Sequence, residues 1–318
     1  MDHLPPARHQ TRGPRRVVSL VPHATELLFA LGLGDRVVGV THECDHPAAA
    51  RDLPQVTFSR LGGELDARGI DEAVSALARD GRSPNGLHAE LLRELRPDLV
   101  ITQELCAVCA VSHEDVVALT ADLPGPPDVL ALDPHTFGET LDDVRTVAGL
   151  CGVPDAGRAL LREIGSRTDR IRVAVRSAPR PRVVAVEWLD PVYVAGHWTP
   201  QLIDLAGGVD LLGLPGEHSA RARWEDLAML RPDVVVCMPC GYDAERSLVE
   251  ATPHAARLWA TGARRVVAVD ANGLLTRPGP RLVAGIETLA HALHPALVPD
   301  APGAVLDVPR STVPVATR

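Results

Sequence analysis

Apolar and polar positions follow two rhythms that alternate along this chain. Short β-branched runs, RVVSLV (16–21), RVVGVT (36–41) and DLVITQ (98–103), have the length and composition of buried strands. Between the first two lies ATELLFALGLG, where Leu27, Leu28 and Leu31 share a helical face that Gly32 or Gly34 closes. Strand runs alternating with amphipathic stretches predict parallel sheets with crossover helices, an α/β fold.

The second half repeats this pattern. RVVAVEWL (182–189) parallels RVVSLVPH (16–23), and TPQLIDLAGG (199–208) parallels TELLFALGLG (25–34). In the former helix Thr199 is the expected N-cap and Pro200 the first helical residue. LRELRPDLVITQ (92–103) matches LAMLRPDVVVCM (227–238), Arg-Pro-Asp included. In each, a helix should stop before the proline and a buried strand should follow. Between the halves, Leu160, Leu161, Ile164, Thr168, Ile171 and Val175 line one face of a continuous helix, about 33 Å long at 1.5 Å per residue.

The expected organisation is therefore an extension (1–14), a first α/β lobe (15–153), a linking backbone helix within 154–179, a second α/β lobe (180–295) and a tail (296–318). Two similar lobes with parallel-rich sheets, joined by one long helix, would hold a ligand cleft between them. The Pro- and Val-rich tail has no period and reads as a surface-hugging or loose extension.

Composition narrows the function classes. The formal net charge of -9 argues against a nucleic-acid or anionic-membrane surface. No apolar run reaches the roughly 18 residues of a membrane helix. The opening MDHLPPARHQTRGPRR has positive charge but lacks the apolar stretch of roughly 7–15 residues that a secretory signal carries. The expectation is a cytoplasmic protein with reduced thiols, and without an export signal a transporter partner is doubtful. Nucleotide-binding glycine motifs and the serine-hydrolase elbow G-x-S-x-G are absent from the sequence.

Polar and sulfur residues collect just after the strand runs, where ligands bind in open parallel sheets. PHATE, HECDHP and ELCAVC follow the first three strands; LDPVYVAGHWTP, PCGYD and ANGLLTRPGPR follow those of the second half. Cys44, Cys106, Cys109 and Cys240 lie in these loops, and Cys106 and Cys109 form a C-x-x-C. Four such thiols suffice for zinc or an iron–sulfur cluster; alternatively they are small buried residues, or Cys106 and Cys109 are a redox pair. Cys151 and Cys237 read as core. Of 13 histidines, His42 and His197 are candidate ligands of a metal or metallocofactor, and His23 is similarly placed. His218, His254, His291 and His294 read as surface or capping residues. Only 3% of the chain is aromatic, so Trp188, Tyr193 and Trp198 in one loop region suggest a wall for a large flat ligand. The same three could instead cap the second core. RPGPR (277–281) presents Arg277 to a carboxylate or phosphate, or simply makes a turn.

These residues also carry a resemblance. LVPHATELLFALGLGDRVVGVTHECDHP, LRPDLVITQ and TPQLIDLAGGVDLLG resemble the helical-backbone metal-receptor group of substrate-binding proteins, from about residue 15 to 295. That group includes the vitamin B12-binding and iron-siderophore-binding proteins of ABC importers. THECD, TQELCAVCAVS, VAGHWTP and RPGPR are similar to its cobalamin-binding branch. The resemblance implies two lobes on one long helix, little domain motion, and no catalysis by the binding protein. It implies a corrinoid as the metal-containing ligand. The residues it places against that ligand include Pro22, His23, Thr25, His42, Glu43, Gln103, Glu104, Trp188, Tyr193, His197, Trp198 and Tyr242; Glu187, just before Trp188, is a further candidate. Three features depart from the group: the missing export segment, the cluster of cysteines, and a longer link at 61–92. The runner-up is an iron–sulfur or zinc protein, possible as an enzyme; a thiol oxidoreductase is the third reading.

Overall fold

A computed structural model describes residues 13–62, 65–104, 111 and 113–310. The first elements are β1 (Val17–Ser19), α1 (Pro22–Ala30), β2 (Val37–Gly39), β3 (Thr57–Ser59), α2 (Ala67–Arg79), β4 (Asn85–Leu87) and α3 (Ala89–Leu95). Next come β5 (Leu99–Gln103), α4 (His113–Ala121), β6 (Asp128–Leu132), α5 (Phe137–Leu150) and α6 (Pro154–Val175). The second half contains β7 (Arg182–Leu189), β8 (Val192–Val194), α7 (Thr199–Leu205), β9 (Val209–Asp210), β10 (Ala220–Arg221) and α8 (Trp224–Leu230). It continues with β11 (Val234–Cys237), α9 (Ala244–Ala251), α10 (Ala255–Ala260), β12 (Arg265–Val269), α11 (Ala271–Leu274), α12 (Leu282–Leu293) and β13 (Val305–Asp307).

The chain divides into two compact units that interleave in sequence. Unit 1 takes the described residues through Ser59, then Asn85–Leu132 and Asp142–Leu161; unit 2 takes Arg60–Pro84, Asp133–Leu141 and everything from Arg162. The long link seen in the sequence thus contributes α2 to unit 2, although β3 and β4 on either side of it pair with each other in unit 1.

Unit 1 is built on a parallel sheet of order β2-β1-β5-β6. Successive strand residues point to opposite faces. Val17, Leu99 and Ile101 pack with Leu27 and Leu28 of α1 and with Leu31 at its C-cap, while Val18 and Val100 pack with Leu92 and Val116 on the other side. Both faces are buried, which is why these strands read as continuous apolar runs.

Unit 2 repeats the order. Its parallel strands run β9-β7-β11-β12, with β8, β10 and β13 added antiparallel. Val184, Val186, Val235, Cys237, Val266 and Ala268 form a core on one face. The start of the tail is laid against unit 2. β13 extends the sheet along β12, Val308 is buried, and Trp259 Nε1 donates to the Pro309 carbonyl at 3.1 Å.

The repeated Arg-Pro-Asp has one construction in both units. α3 and α8 end on Arg96 and Arg231, each in left-handed backbone with φ of 42° and 46°. The aspartate after the proline then clamps the start of the neighbouring strand. Asp98 accepts from the Arg15 and Arg16 amides at 2.8 and 2.9 Å, and Asp233 from the Arg182 amide at 2.9 Å. The strand's own arginine returns to the helix end: Arg16 donates to Leu95 O, and Arg182 to Leu230 O.

One local expectation is corrected. The cap of α7 is Trp198, with no side-chain cap bond, and Thr199 is already helical. The Trp198 backbone lies at φ −82° and ψ −17°, so the turn starts one residue earlier than a threonine cap needs.

Candidate functional site

The carboxyl edge of unit 2's sheet carries the densest set of polar and aromatic side chains. Trp188, at the end of β7, sits opposite Tyr193 of β8, with its ring 5.7 Å from that of Tyr242. Its indole N–H donates to the Ala67 carbonyl at 3.3 Å, so the first turn of α2 borders this edge. The Arg246 guanidinium lies 4.2 Å above the Tyr242 ring, and burial raises the Tyr242 hydroxyl above its usual pKa. Beside Trp188, Glu187 accepts from the Ser219 hydroxyl. Burial raises its carboxyl above the usual range, opposed by that hydrogen bond.

Trp198 has a different place. It is 4% exposed and its indole N–H donates to the Leu275 carbonyl at 2.7 Å, so this tryptophan belongs to the core rather than to a ligand wall. Scarcity of aromatics pointed to it; burial decides otherwise. Arg277 is half-buried in the turn before α12, where the Gly279 amide donates to its carbonyl at 2.8 Å.

His197 is joined by two histidines that the sequence did not single out as ligands. His197 Nε2 and His218 Nδ1 are 3.1 Å apart, and the His135 ring centre is 6.1 and 5.6 Å from theirs. Burial, followed by the neighbouring His218 and His135, lowers the His197 pKa to about 4, so this imidazole is neutral at pH 7. Sequence separation hid the cluster. His218 reaches it because β10 pairs with β8, and His135 because the segment before α5 belongs to unit 2.

In unit 1 the corresponding edge follows β1, β2 and β5. Pro22 opens α1 within its first turn and His23 is buried behind it. The Thr25 hydroxyl donates to Ser19 Oγ at 2.9 Å. His42 Nδ1 and Thr57 Oγ1 are 2.7 Å apart, which fixes the imidazole ring. The Glu43 amide donates to Thr41 Oγ1 at 3.2 Å. Gln103 is buried at the end of β5, and Glu104 lies 3.4 Å from His113 Nε2.

The thiols divide by environment. Cys44 is buried in unit 1's core, with Sγ 3.1 Å from both Thr25 Oγ1 and Thr41 Oγ1. Cys240 is half-buried in unit 2, where its amide donates to the Glu187 carbonyl at 3.2 Å. Cys106 and Cys109 lie outside the described residues. Cys151 and Cys237 are core residues, and burial pushes their thiols up to about 11 and about 12.

Two α/β units of like strand order, with polar residues at the carboxyl edges of parallel strands, define the architecture of a substrate-binding protein. The chain belongs to the periplasmic binding protein family, which its sequence matches over residues 17–272. Over 294 residues it is 24% identical to an ABC transporter substrate-binding lipoprotein, YvrC, of Bacillus subtilis, covering 89% of this chain and 81% of that one. It is 23% identical to the vitamin B12-binding protein of Vibrio cholerae, with 86% of each chain covered. In structure it is similar to a periplasmic heme-binding protein from Pseudomonas aeruginosa. The TM-score is 0.68 at 23% identity, over 94% of this chain and 100% of the other.

These relatives overturn the cytoplasmic expectation. The periplasmic binding protein family match and a substrate-binding lipoprotein matched over most of its length point to an extracytoplasmic place. The lack of an apolar opening segment was the wrong guide, and it no longer counts against a transporter partner. The iron–sulfur reading gains no support from this company. Among the described residues, no helix is long and apolar enough to cross a membrane.

Proposed function

We propose that this chain is the binding component of an ABC importer and that its ligand is a metal-containing tetrapyrrole, a corrinoid first. The observation that carries the reading is the aromatic pair at the carboxyl edge of unit 2, half-buried Trp188 and Tyr193, backed by the buried ring of Tyr242. A corrin is a wide, rigid disc, and flat aromatic rings cover such a surface at little entropic cost. Arg246 and Glu187 lie beside that apolar surface and suit the peripheral amides of a corrinoid. In unit 1 the corresponding candidates are Gln103, an amide donor and acceptor, and His42. The Thr57 contact orients the His42 ring as an outer-shell partner orients a metal ligand. The vitamin B12-binding relative supports the corrinoid; the heme-binding structural neighbour supports the wider tetrapyrrole class.

Titrating cyanocobalamin, and separately hemin, into the purified chain by calorimetry and absorbance tests this. Micromolar or tighter cobalamin binding is expected, weakened tenfold or more in Trp188→Ala, since about 1.4 kcal/mol is a factor of ten. Hemin binding without cobalamin binding would replace the corrinoid by a heme. Binding of neither would end the reading.

A further inference from the structure

Three imidazoles from separate stretches of chain meet in unit 2, and each rides on backbone that is pinned in place. His197 stands in left-handed backbone, φ 52°, a conformation that non-glycine residues seldom hold without a compensating constraint. Two bonds hold it there: its amide donates to the Glu217 carbonyl at 2.6 Å, and the Gly216 amide donates to its own carbonyl at 2.9 Å. A Cβ on Gly196 would stand 2.3 Å from the Glu217 carbonyl oxygen, so glycine is needed for the two loops to lie this close. The loop bearing His218 is thereby tied to the loop bearing His197. His135 is fixed by a reciprocal cap. Glu139 Oε2 accepts from the His135 and Thr136 amides at 2.7 and 2.8 Å, and Thr136 Oγ1 accepts from the Glu139 amide at 3.3 Å.

We propose that His135, His197 and His218 bind a divalent transition-metal ion of borderline softness, with zinc as its representative. The proposal goes beyond the tetrapyrrole reading and does not depend on it. Imidazole is the neutral nitrogen donor that such ions favour. With bonds of about 2.0–2.1 Å, two nitrogens on one tetrahedral zinc stand about 3.3 Å apart and their ring centres about 5 Å apart. The His197–His218 pair has 3.1 Å between nitrogens and 5.1 Å between rings, and His135 lies at 5.6 and 6.1 Å. Among the described residues no three donors already converge on one point. His197 and His218 instead share a hydrogen bond, and closing on an ion requires side-chain rotation on the fixed backbone. An outer partner is in place: Asp133 Oδ1 lies 3.4 Å from His135 Nε2, the carboxylate–imidazole arrangement that leaves the other ring nitrogen to the ion.

The test uses untagged chain, stripped with a chelator and titrated with zinc against a chromophoric competitor at neutral pH. It is run on the wild type and on a Cys106→Ser/Cys109→Ser variant, which removes two thiolates as alternative ligands. One zinc per chain is expected in the cysteine variant. Adding His197→Ala, His218→Ala or His135→Ala should weaken it more than about 100-fold, and Asp133→Ala about 10-fold, the size of an outer-shell loss. His218 is exposed, so its replacement tests ligation where folding is not at stake. Cobalt(II) in place of zinc should give the visible bands of a four-coordinate site and lose them with His218→Ala. Absence of stoichiometric zinc from the cysteine variant, or affinity unchanged across the three histidine replacements, would overturn the site. Cobalamin binding without zinc binding rejects this site alone; zinc binding without cobalamin rejects only the corrinoid reading.

Discussion

Replacing Trp198 by phenylalanine would keep a buried ring and remove one indole N–H, the donor to Leu275 O at 2.7 Å. A buried carbonyl left without its donor costs about 1–3 kcal/mol, and removing the whole ring in Trp198→Ala about 3–5 kcal/mol. Both variants should therefore lower the urea midpoint, while ligand affinity of the folded fraction stays unchanged, the opposite of Trp188→Ala. His254 offers a second residue-scale test. It stacks on Trp224 with ring centres 5.9 Å apart, and burial lowers its pKa below 6.5, helped by Arg257 and opposed by Asp190. The unfolded chain thus binds the proton more readily than the folded one. His254 destabilises nothing above pH 6.5, and stability is lost as pH falls below 6.5 towards the depressed folded value. His254→Gln should flatten that part of the stability–pH curve relative to wild type; parallel curves would mean the ring does not resist protonation.

At the scale of elements, the duplicated Arg-Pro-Asp joint makes a paired prediction. Asp98 accepts two strand amides and Asp233 one, both from half-buried positions. Asp98→Ala should cost about 2 kcal/mol and Asp233→Ala about 1 kcal/mol in urea unfolding, at roughly 1 kcal/mol per hydrogen bond. Equal or negligible losses would show that proline and packing alone set the joint. These joints were legible in the sequence because a motif recurred in register with strands already marked by their β-branched runs. The parallel strands share that legibility: Val17 and Val18 face two different cores, so no alternation was needed to recognise the strand. β13 was not legible, because three residues of an edge strand carry no period of their own and take their shape from β12. The same reason hid two-thirds of the histidine cluster. His135 and His218 are ordinary polar loop residues until the β8–β10 pairing and the Thr136–Glu139 cap bring them to His197.

Across the whole molecule, the sequence resolved the duplication but not the division of the chain between its units. A repeat in sequence marks where similar strands lie; which compact body a link joins depends on packing, and α2 joins unit 2 through contacts such as Trp188 to Ala67. Place in the cell was misjudged from the opening residues alone, and the family match and the lipoprotein relative corrected it. The buried cores, by contrast, are separate. Leu28 belongs to a cluster confined to unit 1 and Leu258 to one confined to unit 2, both fully buried. Leu28→Ala and Leu258→Ala should each cost about 2–5 kcal/mol. With no shared packing partners, the double variant should equal their sum to within about 0.3–0.5 kcal/mol. Hydrogen exchange read by mass spectrometry localises the effect: Leu28→Ala should speed exchange in β1 and β5 and leave β7 and β11 protected, and Leu258→Ala should do the reverse. Loss of protection in both sheets from either substitution would mean that the two units unfold as one, so that their cores, though distinct in packing, are a single cooperative body.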